Sequence, residues 1–432
     1  MLRNWQRVFT HSLFNSSFYK LAWPLNVYRS FGKALFQASL HPLPRVFQSL
    51  FPTKPEMDEI KNLRVAFAIG RGTGAELADF FKLAMNRLAD HYSVPIELHC
   101  SPRTYHSYFS LIGEYNDQKA ICEETLNDVS HYETFCREEA AHGTQVIFRT
   151  AINAQSLYLV RQHLESVKIE HFNQGPNSLL LIRDQAQGFY TGANDHDVAG
   201  GKVSRTCEFS KEMFSRIVSF SVNRARQIWG DQGIDSVFLV YKFHLFDGVF
   251  SAWAKNWSKE HGLKIEFVQP DTANRNLLAY GLRGRQLMIA GNEWADIMHV
   301  ILLNMFGQGA QEARCTENIY LHPGLHGLSE FQTVHGSADD IAGKGIVNPS
   351  ATLRAAAAIL ERYGGCQGLE KGMDHALEVL QRTYKGTRDQ GGSMSTMEVV
   401  TRVLDALTES ASPPDAVACM PSSTDGHAAS VQ

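Results

Sequence analysis

The fold is decided by Val334-His335-Gly336-Ser337-Ala338-Asp339-Asp340-Ile341-Ala342-Gly343-Lys344-Gly345-Ile346-Val347-Asn348-Pro349, a polar loop that contains three glycines. Glycine allows a backbone to turn sharply or to approach a ligand closely. Asn348 is a good N-cap and residues 350–363 are rich in Ala and Leu, so the loop is predicted to lead into a helix. The adjacent carboxylates of Asp339 and Asp340 can accept hydrogen bonds from sugar hydroxyls. Glycine content alone is also compatible with an ordinary solvated loop before a helix.

The order of residues in this loop resembles a known cofactor site. His-Gly-Ser-Ala-x-Asp-Ile-Ala-Gly-Lys-x-Ile-x-Asn-Pro is similar to the adenosine-binding loop of the β-decarboxylating dehydrogenases, which include isocitrate, 3-isopropylmalate and tartrate dehydrogenases. NAD is the implied cofactor, because Asp340 would accept a hydrogen bond from the 2′-hydroxyl of NAD and would repel the 2′-phosphate of NADP. NADP-using relatives carry Lys-Tyr where this chain has Asp340-Ile341. The resemblance implies that the cofactor contacts are His335, Gly336, Ser337, Ala338, Asp340, Ile341 and Asn348.

Length and composition restrict the function classes. A chain of 432 residues can bury a full core in one or two domains. Its net charge of −4 gives no general attraction to nucleic acid, so no nucleic-acid partner is expected. The seven cysteines form no Cys-x-x-Cys pair. This argues against a zinc ribbon or a disulfide framework and favours a reducing compartment.

Both ends of the chain differ in composition from its middle. The first 55 residues contain Arg and Lys but no acidic residue, and residues 1–58 are typical of a mitochondrial presequence. A matrix location is expected, with a basic arm or peripheral membrane helix on a cytoplasmic protein as the alternative. Basic residues interrupt every apolar run there, so no membrane span is predicted. Residues 409–432 are rich in Ser, Pro, Ala and Asp and are predicted to be a disordered tail.

Short apolar runs alternate with helical patterns between these ends. Runs such as 63–69 and 237–241 are typical of parallel strands covered on both faces, so an α/β fold with a mostly parallel central sheet is predicted. The turn Gly70-Arg71-Gly72-Thr73-Gly74 is a weak signal for a dinucleotide fingerprint. The resembled family usually has Gly-Asp-Gly-Ile-Gly-Pro-Glu here and does not bind pyrophosphate at this turn. A Rossmann dinucleotide-binding domain is therefore not expected.

The resemblance covers roughly residues 63–407 and implies the two-domain fold of isopropylmalate dehydrogenase. A large, cofactor-binding domain is expected over residues 59–166 and 307–408. A small domain for dimerisation and substrate binding is expected over residues 167–306.

Polar residues follow four of the predicted strands. They are Arg183, Lys242, Asp271 and Asp296. Ligands of open α/β sheets bind outside the carboxyl ends of the strands, so two cations and two carboxylates are expected at one edge. Any one of them alone would more often be a solvated residue that leaves a strand.

The resemblance gives roles to these residues. Arg183-Asp184-Gln185-Ala186-Gln187-Gly188-Phe189-Tyr190 is similar to the family's Arg-Glu-Asn-Thr-Glu-Gly-x-Tyr. Arg183 would hold a substrate carboxylate, and Tyr190 would donate a proton to the enolate carbon after decarboxylation. Lys242 stands at the family's catalytic lysine and is the implied general base for the 2-hydroxyl. Arg161 matches the Leu-Arg-x-x-Leu segment as a second carboxylate clamp, a task that suits the planar fork of arginine.

Asp271 and Asp296 match two of the family's three metal-binding aspartates. Mg²⁺ or Mn²⁺ is the implied ion, since both prefer oxygen ligands. It would polarise the 2-keto oxygen and stabilise the enolate that remains when CO₂ departs. In such enzymes the lysine and one aspartate come from the partner subunit. The resemblance thus implies a homodimer, or a hetero-oligomer with a catalytic homologue, in which Lys242 and Asp271 complete the other chain's site.

Departures from the family pattern cluster in this site. Val300 stands where the family has its third metal-binding aspartate, and His299 lies beside it. His171 stands where the family has its second substrate arginine, and it is expected to contact the substrate in place of that arginine. Gln332 stands where the family has a glutamate shortly before the loop histidine.

Two functions stay open. NAD-dependent oxidative decarboxylation of a β-carboxylated 2-hydroxy acid, similar to isocitrate or 3-isopropylmalate, is favoured by the retained Tyr190, Lys242, Arg161 and Arg183. A non-catalytic regulatory subunit of a mitochondrial NAD-isocitrate-dehydrogenase-like hetero-oligomer is favoured by the departures. We expect the enzyme.

Overall fold

A computed structural model of the chain describes residues 62–188, 194–197, 199–306 and 313–409. The predicted presequence, the predicted tail beyond Glu409 and the predicted proton donor Tyr190 lie outside these residues. Among the described residues, none of the helices combines the length and the apolar character that a membrane crossing requires.

Strands and helices alternate along most of the chain. The strands are β1 (Leu63–Gly70), β2 (Ile96–Tyr105), β3 (Val146–Arg149), β4 (Ser166–Gln174), β5 (Asn177–Asp184), β6 (Asn194–Asp197), β7 (Lys202–Arg205), β8 (Ser236–Val240), β9 (Ile265–Val268), β10 (Arg285–Gly291), β11 (Cys315–Tyr320) and β12 (Ser329–Thr333). The helices are α1 (Gly74–Tyr92), α2 (Tyr108–Glu114), α3 (Gln118–Ala141), α4 (Ala154–His163), α5 (Lys211–Trp229), α6 (Asp247–His261), α7 (Pro270–Tyr280), α8 (Asn292–Met305), α9 (Ser350–Gly364), α10 (Leu369–Tyr384) and α11 (Thr396–Glu409).

The structure confirms the α/β fold with a mostly parallel sheet. Ten strands lie in the order β2-β1-β3-β12-β11-β4-β5-β10-β8-β9, and β6 and β7 form a separate antiparallel pair. Neighbours in the large sheet are parallel except at its centre, where β12-β11, β11-β4 and β4-β5 are antiparallel. The pairing of β11 with β4 joins segments assigned to the large and the small domain, and the two-domain division stays a prediction.

The strands that precede the predicted site residues are neighbours. β5, β10, β8 and β9 are parallel to one another, so their carboxyl ends lie at one edge of the sheet, as the sequence predicts. The ends of these four strands lead to Arg183, Asp296, Lys242 and Asp271.

Helices cover both faces of the sheet, which explains the continuous apolar runs in strands such as β1, β5, β8 and β10. In β1, Val65 and Phe67 pack in a core with α1, α9, α10 and α11, whereas Ala66 and Ala68 face a second core with α3 and α4. In the other half of the sheet, α5 and α6 cover one face of β5, β8 and β10, and α7 and α8 cover the opposite face.

The glycine turn after β1 is filled by other parts of the chain. A Cβ atom at Gly70 would lie 1.8 Å from the carbonyl oxygen of Ala151. At Gly72, where φ is 75°, a Cβ atom would lie 2.3 Å from the carbonyl oxygen of Ser337. The N–H of Thr73 donates to that same carbonyl at 2.8 Å. Gly70 therefore allows the chain to pack against the segment that follows β3, and Gly72 allows it to pack against the loop that follows β12.

We expect Gly70→Ala to lower the free energy of unfolding by about 3 kcal/mol, because the new methyl group overlaps a backbone oxygen that cannot move independently. Gly113→Ala in α2 is the control, since a Cβ atom there meets nothing within 4 Å. That change is expected to be neutral or to stabilise by up to about 1 kcal/mol. Urea denaturation measures both, and equal stability of the two variants would contradict the packing role.

Candidate active site

A row of buried polar side chains crosses one face of the sheet at its antiparallel centre. Residues that are directly paired across strands point to the same face. Arg149 is paired with Gln332, and Asn318 is paired with Lys168, which is paired in turn with Arg183. Each member of this polar row is 6% exposed or less. The members are Arg149, Lys168, Glu170, Arg183, Thr316, Asn318, Glu330 and Gln332.

Glu330 is the anionic centre of the polar row. Its carboxylate accepts from Nε of Arg149 at 2.9 Å, from Nδ2 of Asn318 at 2.8 Å and from the hydroxyls of Tyr132 and Tyr320. Burial would raise the pKa of Glu330, but the charge of Arg149, with that of a second arginine, holds this pKa below its usual value. A buried carboxylate with this many donors stays ionised.

Arg161 on α4 is the second of those arginines, and none of the ion pairs among the described residues includes it. Its Nη2 donates to Oε1 of Gln332 at 3.1 Å, and Arg149 donates to the same neutral amide. The buried Nε of Arg161 has no hydrogen-bond partner in the described part of the chain. Burial and the charge of Arg149 lower the pKa of Arg161 to about 10. A buried guanidinium without a counter-ion is costly, and an anionic ligand would remove that cost.

Arg183 and Asp296 come together, as the sequence predicts for one edge. Nη1 of Arg183 lies 2.7 Å from Oδ1 of Asp296, and Nε donates to the side-chain oxygen of Asn292. Asp296 is 54% exposed whereas Arg183 is buried, so this pair stands where the polar row meets solvent.

Lys168, Glu170 and His299 form a group that the sequence reasoning missed. Nζ of Lys168 lies 3.0 Å from one oxygen of Glu170, and Nδ1 of His299 contacts the other oxygen. Burial alone would raise the pKa of Glu170, but Lys168 and His299 lower it to about 2. Burial lowers the pKa of Lys168. Lys168 and His299 therefore both lie against the Glu170 carboxylate.

His171 does not join the predicted substrate residues. It is paired with Leu180, whereas Lys168, three positions earlier on the same strand, is paired with Arg183. Side chains alternate between faces along a strand, so an odd separation places His171 on the opposite face from Arg183. Its Nε2 lies 2.6 Å from the hydroxyl of Ser178, and it lines a cavity of about 940 Å³ that Glu170 and His299 also line.

Lys242 and Asp271 pair with each other at the sheet edge. Nζ of Lys242 lies 3.5 Å from Oδ1 of Asp271, and their side chains are 50% and 72% exposed. Asp184 links the segment of Lys242 to the polar row. It follows Arg183 directly, and its carboxylate accepts a hydrogen bond from the hydroxyl of Tyr241 at 3.0 Å. Burial raises the pKa of the Asp184 carboxyl to about 7. No hydrogen bond or ion pair within the described residues joins Lys242 or Asp271 to the buried arginines.

The predicted cofactor loop is tied to the ends of β1 and β2. The N–H and the hydroxyl of Thr73 donate to the carbonyl of Ser337 at 2.8 and 3.0 Å. The hydroxyl of Ser107 donates to Asp339 at 2.9 Å. Ala338 lies between these anchors with a φ of 44°, so the loop bends sharply there. The same loop carries the predicted cofactor residues His335, Gly336 and Ile341.

The two adjacent carboxylates of the loop differ in their surroundings. Asp339 anchors the loop, whereas Asp340 is exposed, and its carboxylate has no hydrogen bond or ion pair in the described structure. The backbone carbonyl of Asp340 accepts from Nζ of Lys344 at 2.7 Å. Oδ1 of Asn348 accepts from the N–H of Ser350 at 3.0 Å and so caps the start of α9. Only the second carboxylate is thus available to a ligand.

Comparisons with known proteins all point to one family. Residues 316–403, which contain β12, the loop and α9, match the model of the isocitrate/isopropylmalate dehydrogenase family. The chain is 28% identical over 240 residues to the mitochondrial NAD isocitrate dehydrogenase subunit 2 of Kluyveromyces lactis, covering 53% of this chain and 61% of that protein. It is 27% identical over 239 residues to 3-isopropylmalate/3-methylmalate dehydrogenase of Methanocaldococcus jannaschii, covering 53% and 67%.

A solved structure shares the fold. The crystal structure of isocitrate dehydrogenase from Methylococcus capsulatus has a TM-score of 0.57 and 18% sequence identity, covering 80% of this chain and 99% of that chain. These matches support membership of the chain in the isocitrate/isopropylmalate dehydrogenase family. The matched part spans about three-fifths of the Kluyveromyces lactis relative's length. The polar row contains Lys168 and Glu170, which none of the quoted family motifs includes.

Glu330→Gln is expected to lower the free energy of unfolding at pH 7 by about 3–5 kcal/mol, because it leaves Arg149 buried without its counter-ion. The native pKa of Glu330 is lowered from 4.5, so its stabilisation is present above that value and is lost as the pH falls below it. The difference in free energy of unfolding between wild type and variant should therefore become smaller in acid. Denaturation between pH 7 and pH 3 measures this gap.

Glu97→Gln is the matched control, since Glu97 is half-exposed and pairs with Arg64. Its effect should stay within about 1 kcal/mol. A Glu330→Gln effect as small as the control's would show that the buried carboxylate does not balance the polar row.

Proposed function

We propose that this family member catalyses NAD-dependent oxidative decarboxylation of a β-carboxylated 2-hydroxy acid related to isocitrate or 3-isopropylmalate. The observation that supports this most is the buried guanidinium of Arg161, whose one acceptor in the described structure is the neutral amide of Gln332. A substrate carboxylate would supply the missing negative charge, and Arg183 next to it would hold a second carboxylate oxygen.

In the proposed reaction, Lys242 takes the proton of the 2-hydroxyl while the hydride leaves for the nicotinamide ring. The 2-keto acid then loses its β-carboxylate as CO₂, and Tyr190 gives a proton to the enolate carbon. Lys242 is half-exposed, and among the described residues no hydrogen bond or ion pair joins it to Arg161 or Arg183. We therefore propose that a second chain contributes Lys242 and Asp271 to each site.

An exposed apolar face supports such an oligomer. Ile297, Val300 and Ile301 are exposed on α8, and Leu278 is exposed on α7. Residues three and four apart lie on one face of a helix, so the three α8 side chains form a single surface. Covering that surface with a second chain would remove it from water.

Asp296 and the second chain's Asp271 would hold Mg²⁺ or Mn²⁺. Two carboxylates together with substrate oxygens fit the oxygen-rich donor set of these ions. A bound ion would add positive charge beside the 2-oxygen of the substrate. Asp296 is shared with Arg183, and Val300 offers no ligand atom, so we expect weaker metal binding than in relatives with three aspartates.

NAD is the proposed cofactor and the mitochondrial matrix the proposed location. The exposed carboxylate of Asp340 stands on the loop that resembles the family's adenosine site. The Kluyveromyces lactis relative is a mitochondrial NAD isocitrate dehydrogenase subunit. The basic segment over residues 1–58 fits the same compartment.

A non-catalytic subunit is the second candidate. The metal ligands of α8 favour this candidate. The carboxylate of Asp296 is already paired with Arg183, and Val300, one turn later, has no ligand atom. Such a subunit would bind the acid through Arg161 without turning it over and would act by assembling with a catalytic homologue.

We expect the purified chain to reduce NAD with at least one of isocitrate and 3-isopropylmalate in the presence of Mn²⁺, and Lys242→Ala to reduce this rate by at least about 100-fold. NAD binding, followed by fluorescence, should be unchanged in that variant. Lys264→Ala is the control, because Lys264 is also an exposed lysine beside a carboxylate, that of Glu266.

An inactive wild type that raises the activity of a catalytic homologue, with the effect intact in Lys242→Ala, would support the subunit instead. Inactivity without any such effect would reject both functions.

A separate measurement concerns the cofactor. We expect NAD to be preferred over NADP, and Asp340→Asn to reduce the preference about tenfold, since the change removes the charge that repels a 2′-phosphate. Asp79→Asn, an exposed carboxylate on α1 paired with Lys82, is the control. The ratio of kcat/KM for the two cofactors measures the effect, and faster turnover with NADP in wild type would refute the assignment.

A further inference from the structure

We propose that Asp184 and Tyr241 are positioning residues for Lys242, and that a buried hydrogen bond between them fixes the direction in which the Lys242 segment leaves the sheet. The effect of this bond on the reaction rate rests on the proposed function, in which Lys242 is the general base. Its effect on the position of the segment can be measured without turnover.

The hydrogen bond between Asp184 and Tyr241 spans a whole strand. Asp184 ends β5 and is paired with Gly291 of β10. One residue earlier, Ala290 is paired with Val240, which ends β8. Asp184, Gly291 and Tyr241 therefore form a row across three strands, in which the outer two backbones lie about 9.5 Å apart. The hydroxyl of Tyr241 donates to Oδ2 of Asp184 at 3.0 Å and so closes this distance.

Gly291 leaves the space that this hydrogen bond needs. A Cβ atom at Gly291 would lie 3.2 Å from Cδ1 of Tyr241, so a side chain there would press on the tyrosine ring. With no side chain at Gly291, the ring of Tyr241 can cross β10. Both Asp184 and Tyr241 are buried, so the bond forms out of water and joins two strands that do not pair with each other.

The carboxylate of Asp184 meets donors whose orientation is fixed. Its Oδ1 accepts from the N–H of Ala186 at 3.1 Å, and its Oδ2 accepts from Nε2 of Gln187 at 3.0 Å as well as from Tyr241. The amide of Gln187 cannot turn over, because its oxygen accepts from the N–H of Ser210 at 2.9 Å. An asparagine at position 184 could offer an oxygen to only one of these two N–H groups. The site therefore requires a carboxylate.

Aromatic stacking holds the other neighbour of Lys242. The ring of Phe243 is stacked on that of Phe250, with 3.4 Å between the ring centroids, and its centroid lies 5.3 Å from that of Tyr241. Tyr241 and Phe243 therefore lie on one side of the chain, and the residue between them points to the other side. Lys242 accordingly contacts Asp271 on α7, which covers the opposite face of the sheet.

Tyr241→Phe removes the hydroxyl and leaves Asp184 with its donors from Ala186 and Gln187. We expect this change to lower kcat about tenfold, since displacing a reacting group is costly, and to leave KM for the acid within about twofold. Tyr105→Phe is the matched control, because Tyr105 is also fully buried and its hydroxyl lies 2.9 Å from that of Ser101. Steady-state kinetics of the full chain with NAD, Mn²⁺ and either isocitrate or 3-isopropylmalate measure both constants.

Hydrogen exchange of the full chain measures the position of the segment directly. Loss of one buried hydrogen bond should make the backbone amides of residues 242–246 exchange about tenfold faster in Tyr241→Phe than in wild type. In Tyr105→Phe these amides should exchange as they do in wild type.

A double-mutant cycle tests whether the two residues act through one bond. Asp184→Asn should lower kcat at least as much as Tyr241→Phe does, and the double variant should be no slower than Asp184→Asn alone. If the two effects on kcat multiply, the side chains act independently and the proposed pair is wrong.

The outcomes separate this inference from the proposed function. If wild type is active and Tyr241→Phe has the same kcat as Tyr105→Phe, the positioning role is wrong while the proposed function is unaffected. A higher KM with an unchanged kcat would assign the bond to binding and would overturn the positioning role as well. If wild type reduces no NAD with either acid but the segment exchanges faster in Tyr241→Phe, the positioning of Lys242 stands and the proposed function falls. If wild type is inactive and exchange is unchanged, both are wrong.

Discussion

Burial of positive charge on one face of the central sheet is the constraint on which this structure depends. Moving an arginine or lysine out of water is costly unless a carboxylate or several hydrogen bonds compensate. Glu330 compensates Arg149, and Glu170 compensates Lys168. The tyrosine hydroxyls and the Asn318 amide complete the shell of Glu330, so the compensation extends across β12, β11 and β4. These are the strands of the antiparallel centre, which lies between the two parallel halves of the sheet.

Gln332 explains why the compensation is incomplete. Its one amide oxygen accepts from both Arg149 and Arg161. A carboxylate at this position would neutralise Arg161, as Glu330 neutralises Arg149. The neutral amide holds the guanidinium in place but leaves its charge unbalanced. Gln332 in place of the family's glutamate therefore makes this face of the sheet better able to bind an anion.

Strands such as β1 and β8 could be predicted from the sequence because apolar cores cover them on both faces. The run at 63–69 matches β1, and the run at 237–241 matches β8. The central strands β4, β11 and β12 were missed, since they alternate buried polar with apolar residues and contain no continuous apolar run. Lys168, Glu170 and Glu330 lie on those strands. The strands that carry the site therefore lack the signal by which strands were recognised.

The same distinction applies within the candidate site. Residues that follow apolar strands, such as Arg183 and Lys242, could be placed at one edge from strand order alone. His171 was misplaced because the resemblance to the family fixes a position along the chain but not a face of the strand. A face depends on the pairing register, which only the structure supplies. Lys168 could be identified as a site residue only once its pairing with Arg183 was known.

The positions of the charges also bear on how many chains make one site. Arg161 and Arg183 are buried and point inward, whereas Lys242 and Asp271 are exposed and satisfy each other at the edge. A general base must come within hydrogen-bond distance of the hydroxyl it deprotonates. Within this chain no hydrogen bond or ion pair of the described residues links the two groups.

The exposed apolar face of α8 carries Val300 one turn beyond Asp296. A second chain covering that face would reach α8 beside Asp296, so Val300, which stands where the resembled family has an aspartate, would add apolar contact area there.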